Sequence, residues 1–565
     1  MAYKFDQPYP AYAYMSGALF LGLDERGREI GIETERHLIT VAGAGGGKGA
    51  ALLIPNARRW PHNLLCVDVK GENAEHSWQE RRAMGQTVGA VDPFRIASVP
   101  DDLRVSINLL DGITADGFTA REDCLVIADG MVKRHDPKHA EWDDGARDII
   151  AGLIAFVIET APPQHRHLVT VRGLLLEPNG APATDTEAAT GLYELAGDMI
   201  ECEGCGGLAR AAGLTIITAL SSDKGMEKDF LGGARRHTKW LDSEPIKSVL
   251  AESSFDLTSL KTGAASIYLV LPPQYIETHA AFLRLFTRAA INVMAAGGSG
   301  KGKRCLFLLD EFFTLGRIDE IAKAAGLMRS YGVHLWPFLQ DLGQLYELYG
   351  VHLSSTFLGN ADAQIFFHNA DMPTLDYMSK FLGTIKPHEI TNAAPAKTEF
   401  QEKFWSWRDE KEQRDEWARN DENAMRAHSF AMQQKGAARM APDEIARLTG
   451  KGVADKVARS MIVFMSAGQR FNLRLRPYFL EKTRRPPLSA LSNSTNGAGS
   501  MSTPFKYMTP FRWVLALFFV FGMWGSAEPS PLSDMTGIFA PLVWGVLAMF
   551  IPWIFRECWR VLRST

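Results

Sequence analysis

The chain is 565 residues long, with 61 Lys and Arg against 65 Asp and Glu, a formal net charge of −4. Hydrophobic residues make up 46% and aromatics 10%, which is ample for packed cores and excludes a disordered chain. A polycation that coats nucleic acid is excluded as well, so any contact with nucleic acid must come from local basic surface.

Residues 1–30 lack a basic stretch followed by an apolar core, which argues against a secretory leader. Residues 37–43 (HLITVAG) are apolar and β-branched and predict a buried strand. The strand runs into Gly43, Ala44, Gly45, Gly46, Gly47, Lys48, Gly49 and Ala50, then into a helical stretch reaching Ile54-Pro55-Asn56. Strand, glycine-rich loop, lysine and helix is the order of a P-loop. Glycines let backbone N–H groups turn inward around phosphate oxygens, and the helix N-terminus adds a favourable dipole. Lys48 would reach the β- and γ-phosphates of ATP. Two positions depart from the general pattern: Ala42 stands for the first glycine and Gly49 for the hydroxyl residue. A Mg²⁺ ion would then lean more on water and on an acidic partner. A plain glycine-rich turn is the alternative.

A second strand, Leu64 to Asp68, ends in Asp68-Val-Lys70-Gly71-Glu72-Asn73. Residues 121–235 read as helical. Within them, HAEWDDGARDIIAGLIAFVIET places apolar residues at helical spacing, a core-packing signal. Cys202-Glu-Gly-Cys205 is a lone C-x-x-C, and a metal site would need a second pair or nearby His. Core packing is therefore the preferred reading, and the six cysteines suit a reducing cytoplasm. Further on, Cys305-Leu-Phe-Leu-Leu-Asp310-Glu311 has the Walker B form, four apolar residues before an acidic pair. Asp310 would hold Mg²⁺ through water and Glu311 would polarise the attacking water. A solvated strand cap is the alternative. The strand Val333 to Gln340 ends in an amide that could sense the γ-phosphate or orient water, or serve structure alone.

Residues 399–426 hold 15 charged residues in 28, of both signs, and read as a solvated helix or a docking appendage. Residues 482–510 are rich in Pro, Ser, Gly, Asn and Thr and predict a linker. Trp513–Ala527 and Thr536–Phe555 carry no charge; the second would span roughly 30 Å as a helix, the thickness of a bilayer core. The loop between them lacks Lys and Arg, whereas Lys506, Arg512, Arg556, Arg560 and Arg563 flank the pair. A transmembrane hairpin over 511–556 with both flanks in the cytoplasm is expected. A buried hairpin of a soluble domain is the alternative.

The segment from His37 to Phe94 resembles the TraG-type coupling proteins of type IV secretion and conjugation. The carriers are Lys48-Gly49, Ile54-Pro55-Asn56, Asp68 to Asn73 and Asp92-Pro93-Phe94, in that order. The block from Leu306 to Gly350 is similar to the family's Walker B and sensor region, and NADAQIFFHNADMPTLDYMSKFLG and RMAPDEIARL resemble later segments. The likeness covers most of residues 18–480.

The resemblance implies an α/β, RecA-like P-loop ATPase with an inserted all-α domain that governs substrate choice. It implies a motor of residues 1–120 and 236–481 interrupted by the insert 121–235. It also implies a homo-hexamer at the cytoplasmic mouth of a type IV channel in the bacterial inner membrane. Such a motor uses ATP and Mg²⁺ to transfer relaxase-bound single-stranded DNA, or relaxase and effector proteins. Arg329 matches the position of the family's arginine finger, with Arg317 as rival. Lys133, Arg134, Lys224 and Lys228 are basic candidates in the insert. The family's usual membrane anchor precedes the motor, whereas the expected hairpin here follows it. Two alternatives are a protein-only secretion receptor and an FtsK- or HerA-like translocase on double-stranded DNA.

Overall fold

The computed structural model describes residues 3–132, 140–176, 185–221, 226–296, 303–318, 321, 328–384, 438–452 and 455–480, without the side chains of 185–189, 226–227 and 328–329. The chain divides into units of residues 1–482 and 483–565, and the second lies outside the described residues. The expected linker and hairpin, and the charged stretch 399–426, lie outside them too.

An eleven-stranded sheet organises the described residues of the first unit. In chain order the strands are β1 (Leu19–Leu23), β2 (Glu29–Ile32), β3 (His37–Ala42), β4 (Asn63–Asp68), β5 (Thr87–Val91) and β6 (Ala265–Val270). They continue as β7 (Cys305–Leu309), β8 (Val333–Leu339), β9 (Ala361–Phe367), β10 (Ser460–Met465) and β11 (Arg470–Arg474). Across the sheet the order is β2-β1-β11-β10-β9-β3-β8-β7-β4-β6-β5. From β9 to β5 every neighbour is parallel, whereas β10, β11, β1 and β2 extend the sheet antiparallel.

The parallel strands are apolar along their length because both faces are covered. Ile39, Val41, Leu65, Val67, Phe307 and Leu309 face one core, shared with the helices inserted after β5. Leu38, Ala42, Leu64, Cys66, Leu306 and Leu308 face the other, shared with Leu52, Leu53, Ala57 and Trp60 from the segment after the P-loop. That segment opens as a wide π turn, Gly49–Leu53, and continues as the α-helix Ile54–Arg59. Pro55 has no N–H to give and its ring would crowd the carbonyl one turn back, and the widened turn before it relieves both problems.

Asn56 explains part of the Ile-Pro-Asn motif. Its Nδ2 donates to Phe20 O at 2.9 Å and to Leu52 O at 2.8 Å, and its Oδ1 accepts from Phe20 N at 2.7 Å. Phe20 sits at an irregularity in the β1–β2 register, so its peptide groups take these side-chain partners. One amide thereby fastens the P-loop helix to the antiparallel end of the sheet.

The chain leaves the sheet after β5 and returns before β6. The two passes touch where Ile107 N donates to Val249 O at 2.8 Å and Ser254 N donates to Ser106 O at 2.9 Å. Between them lie the helices Ala120–Met131, Ala140–Thr160, Leu168–Leu176, Asp185–Ile200, Gly204–Ser221 and Met226–His237. Gly204–Ser221 is long and apolar enough to cross a membrane, by length and composition only. Here Leu208, Ala209, Ala212 and Ile216 on this helix join the core that holds Ile149, Leu153 and Leu195.

Replacing Asn56 with Ala removes three hydrogen bonds to backbone groups, and the expected loss is about 1–3 kcal/mol for each group left unsatisfied. Urea denaturation of Asn56→Ala against the parent checks it, and an unchanged midpoint would refute the fastening role.

Candidate active site

The sheet order β3-β8-β7-β4 sets four strand tips side by side at the C-terminal edge of the parallel strands. In open α/β sheets this edge is where ligands bind. The tips carry, in turn, the glycine-rich loop, Gln340, Asp310 with Glu311, and Asp68.

The loop is a narrow turn. Gly46 N donates to Gly43 O at 3.1 Å, and Ala51 N donates to Gly47 O at 3.0 Å. Gly47 has φ +97°, and a Cβ there would lie 2.5 Å from Val457 Cγ1, so only glycine fits. Residues after the helix Pro442–Thr449 hold the loop from outside: Ala458 N donates to Gly46 O at 2.9 Å and Lys451 Nζ to Gly45 O at 3.3 Å. A Cβ at Gly49 would meet nothing within 4 Å, so packing does not force out the hydroxyl residue of the general pattern.

Lys48 points its amine into this edge. Its Nζ is buried and makes no hydrogen bond among the described residues. Its ion-pair partner is Glu311 Oε1, at 3.6 Å. The other oxygen of Glu311, Oε2, accepts from Gln340 Nε2 at 3.1 Å. Lys48, Glu311 and Gln340, distant in sequence, therefore converge on one carboxylate. Glu311 has φ +48°, a left-handed conformation that costs a non-glycine residue of order 1–3 kcal/mol and is characteristic of functional sites. Thr314 holds that turn, with its N–H and its hydroxyl each donating to Glu311 O at 2.8 Å.

Asp310 receives Glu311 N–H at 3.0 Å. Loss of solvent, followed by the neighbouring Glu311 charge, raises its pKa to about 7, while Lys48 pulls the other way. Asp68 is fully buried, and desolvation lifts its pKa to about 6, opposed chiefly by backbone N–H donors. Among these, Ala74 N donates to Asp68 Oδ2 at 2.8 Å.

Asp68 and Asp92 shape adjoining turns. Asp92 accepts from Ile96 N at 3.1 Å and Ala97 N at 2.9 Å. A Cβ on Gly71 would stand 2.7 Å from Ala97 Cα. The Asp68-to-Asn73 and Asp92-Pro93-Phe94 motifs are thus two turns packed together at the tips of β4 and β5.

Two residues escaped the sequence reading. Asn369, just past β9, donates from Nδ2 to Gln340 O at 3.3 Å, and its buried Oδ1 has no partner among the described residues. His368, at φ +55°, places its carbonyl where a Cβ on Gly43 would be 2.2 Å away. The signal was a polar His-Asn directly after the apolar run Ile365-Phe-Phe367. Of the arginine-finger candidates, Arg317 is exposed beyond the Glu311 turn. Arg329 lies in a short 3-10 turn, Met328–Tyr331, before β8, and its side chain is outside the described residues.

These groups suit a nucleotide. A buried amine without a hydrogen bond, at the junction of a glycine-rich loop and a helix start, matches phosphate oxygens. Among the described residues no three His, Cys, Asp or Glu side chains form a metal cage. Mg²⁺ is ordinarily bound by one or two carboxylates with waters and substrate phosphates, and Asp310 fits that requirement.

The fold and this edge define a RecA-like α/β P-loop protein. The chain belongs to the type IV secretory system conjugative DNA transfer family, whose pattern it matches over residues 13–483. It is 29% identical over 358 residues to the conjugal transfer protein TraG of Agrobacterium fabrum, covering 61% of this chain and 51% of that one. It is 26% identical over 377 residues to the protein VirD4 of the same organism, covering 61% and 49%. The chain thus spans about half the length of the curated relatives it matches. The plasmid coupling protein TrwB in complex with ADP and Mg²⁺ superposes with a TM-score of 0.52 at 14% identity, over 82% of this chain and 91% of that one. At that identity the likeness is one of fold.

A carboxyl with a raised pKa must lose its proton before it can face a cation. Asp310 is therefore charged above about 7 and neutral below. Mg²⁺-dependent binding of a fluorescent ADP analogue is expected to weaken as pH falls from about 8 to about 6, with Mg²⁺-free binding less affected. Equal weakening with and without Mg²⁺ would refute this assignment.

Proposed function

We propose that this protein is a membrane-anchored ATPase that couples a relaxase-bound single strand of DNA to a type IV secretion channel and drives its transfer. The observation that carries the reading is the convergence of Lys48, Glu311 and Gln340 at one sheet edge in a chain of this family. The relatives' names support the transfer role: conjugal transfer protein for TraG, and type IV secretion system-coupling protein for VirD4 of Bartonella quintana. Nucleotide use is supported by TrwB, solved with ADP and Mg²⁺ and with a non-hydrolysable ATP analogue.

In this reading Lys48 and the N–H groups of residues 43–50 hold the β- and γ-phosphates. Asp310 would hold Mg²⁺ through water, and the ion would supply positive charge to the phosphate oxygens. Glu311 accepts the proton of the attacking water, and Gln340 fixes the carboxylate that does so. Arg329, contributed by a neighbouring subunit of a homo-hexamer, stabilises charge on the transferred group. The helices between β5 and β6 select the relaxase or effector cargo. The hairpin over 511–556 anchors the motor to the inner membrane with the ATPase in the cytoplasm.

Lys48→Ala is expected to abolish nucleotide binding. Glu311→Gln should keep binding but lose hydrolysis by about a hundredfold or more. Both should abolish conjugative transfer while leaving membrane insertion intact, and normal transfer by either would overturn the reading. Single-stranded DNA should stimulate the wild-type ATPase, whereas stimulation by protein cargo alone would point to a protein-only receptor.

A further inference from the structure

Arg284 belongs to none of the motifs, yet it joins three parts of the molecule. It lies in the helix Ile276–Ala295 and is 4% exposed. Its Nε donates to Gly130 O at 2.9 Å and its Nη2 to Met131 O at 3.2 Å. Both carbonyls belong to the last turn of the inserted helix Ala120–Met131. Its Nη1 donates to Leu315 O at 3.4 Å, in the turn Phe312–Leu315 that follows Glu311 directly.

The chemistry suits a tie rather than a filler. The last carbonyls of a helix have no partner within it and carry partial negative charge, so a cation there satisfies and stabilises them. A guanidinium presents its donors in a rigid planar fork and here serves three carbonyls in a fixed arrangement, whereas an ammonium is a compact charge on a flexible stem. Desolvation lowers the Arg284 pKa to about 10, so it stays charged at neutral pH. The helices also meet closely, since a Cβ on Gly130 would lie 2.8 Å from Leu285 Cδ1. Four residues along, Arg288 Nη1 pairs with Asp129 Oδ2 at 2.5 Å, a second link between the same helices.

The Glu311 turn is short and closed on itself. Gly316 N donates to Phe313 O at 3.1 Å, Thr314 is bound to Glu311 O, and Phe312 and Leu315 are fully buried. A shift at Leu315 O therefore reaches the Glu311 backbone through few soft torsions. We propose that Arg284 is a positioning residue that transmits the placement of the inserted helical region to Glu311, so that the insert sets the rate of nucleotide hydrolysis without touching nucleotide. The inference rests on Glu311 acting in hydrolysis, as given under Proposed function.

The test uses the full-length protein. Wild type, Arg284→Gln, Arg284→Lys and Asp129→Asn are compared for kcat, for affinity toward a fluorescent ATP analogue, and for hydrogen exchange at 312–316 and 120–131. Arg284→Gln is expected to lower kcat by about tenfold or more, as a misplaced catalytic group does, with analogue affinity within about twofold. Exchange should rise at 312–316 and at the end of 120–131. Arg284→Lys keeps the charge without the fork and should regain part of kcat. Asp129→Asn should leave kcat within about twofold. The proposal is overturned if Arg284→Gln retains wild-type kcat, or if its loss of kcat comes with equal loss of analogue affinity and raised exchange throughout the sheet. If Arg284→Gln does not fold, Arg284→Lys decides alone: reduced kcat with exchange raised only at 312–316 and the end of 120–131 supports the tie, and wild-type behaviour overturns it. A wild-type protein that binds the analogue without hydrolysing it, under every condition that should activate it, refutes instead the reading on which the inference rests.

Discussion

Everything at the working edge follows from one unsatisfied charge. The Lys48 amine is buried, has no hydrogen bond among the described residues, and sees a carboxylate only at 3.6 Å. Burying an ammonium this way is costly, and the surrounding backbone has to impose it. The narrow glycine loop fixes the start of the Lys48 helix, and Asn56 fastens that helix to β1. Opposite, the left-handed turn at Glu311 presents its carboxylate to both the amine and Gln340. Such an arrangement is poor for stability and well suited to an anionic ligand that completes it.

That division between cost and compensation sorts the family's motifs. Lys48 and the Asp310-Glu311 pair keep polar atoms that their own turns leave without backbone partners on the ligand side. Asn56, Asp68 with Gly71, and Asp92 instead spend their polar groups on backbone neighbours. Asp68 illustrates the difference: it stands on the same row of strand tips as Asp310, but it is enclosed by the N–H groups of its own turn. A motif shared across a family is thus partly a record of how the strand tips are stiffened, not only of which atoms meet the nucleotide.

The parallel part of the fold was legible because strands covered on both faces are continuously apolar, as in His37–Ala42, Cys305–Leu309 and Val333–Leu339. Lys48, Asp310, Glu311 and Gln340 were legible because each ends or follows such a run. The order β3-β8-β7-β4 was not, since adjacency of strands hundreds of residues apart leaves no local trace. The antiparallel strands β1, β2, β10 and β11 are short or interrupted, and the break at Phe20–Gly22 blurs what pattern they have. Arg284 was invisible for a different reason. An arginine in an amphipathic helix reads as a solvated residue until the carbonyls around it are known. The stretch after the P-loop reads as helical, but nothing local to the sequence marks the wide π turn, Gly49–Leu53, with which it opens.

The joint between β3 and β8 stands apart from the other parallel joints of the sheet. Only Thr40 with Phe338 and Val41 with Leu339 are in register there, next to the site, whereas β4 and β7 match over five residues. Lower down, side chains replace the ladder: Trp336 Nε1 donates to Thr40 Oγ1 at 2.9 Å and Leu335 N donates to His37 Nδ1 at 3.2 Å. Lys48 hangs from one side of this joint, Gln340 and Glu311 from the other. Side-chain bonds tolerate a change of angle that a full ladder resists, so the parallel part of the sheet is most pliant along the line dividing the lysine from the carboxylate it faces. A change of angle at this joint would alter the separation of Lys48 from Glu311, and both hydrophobic cores, which span the joint on either face of the sheet, would have to absorb it.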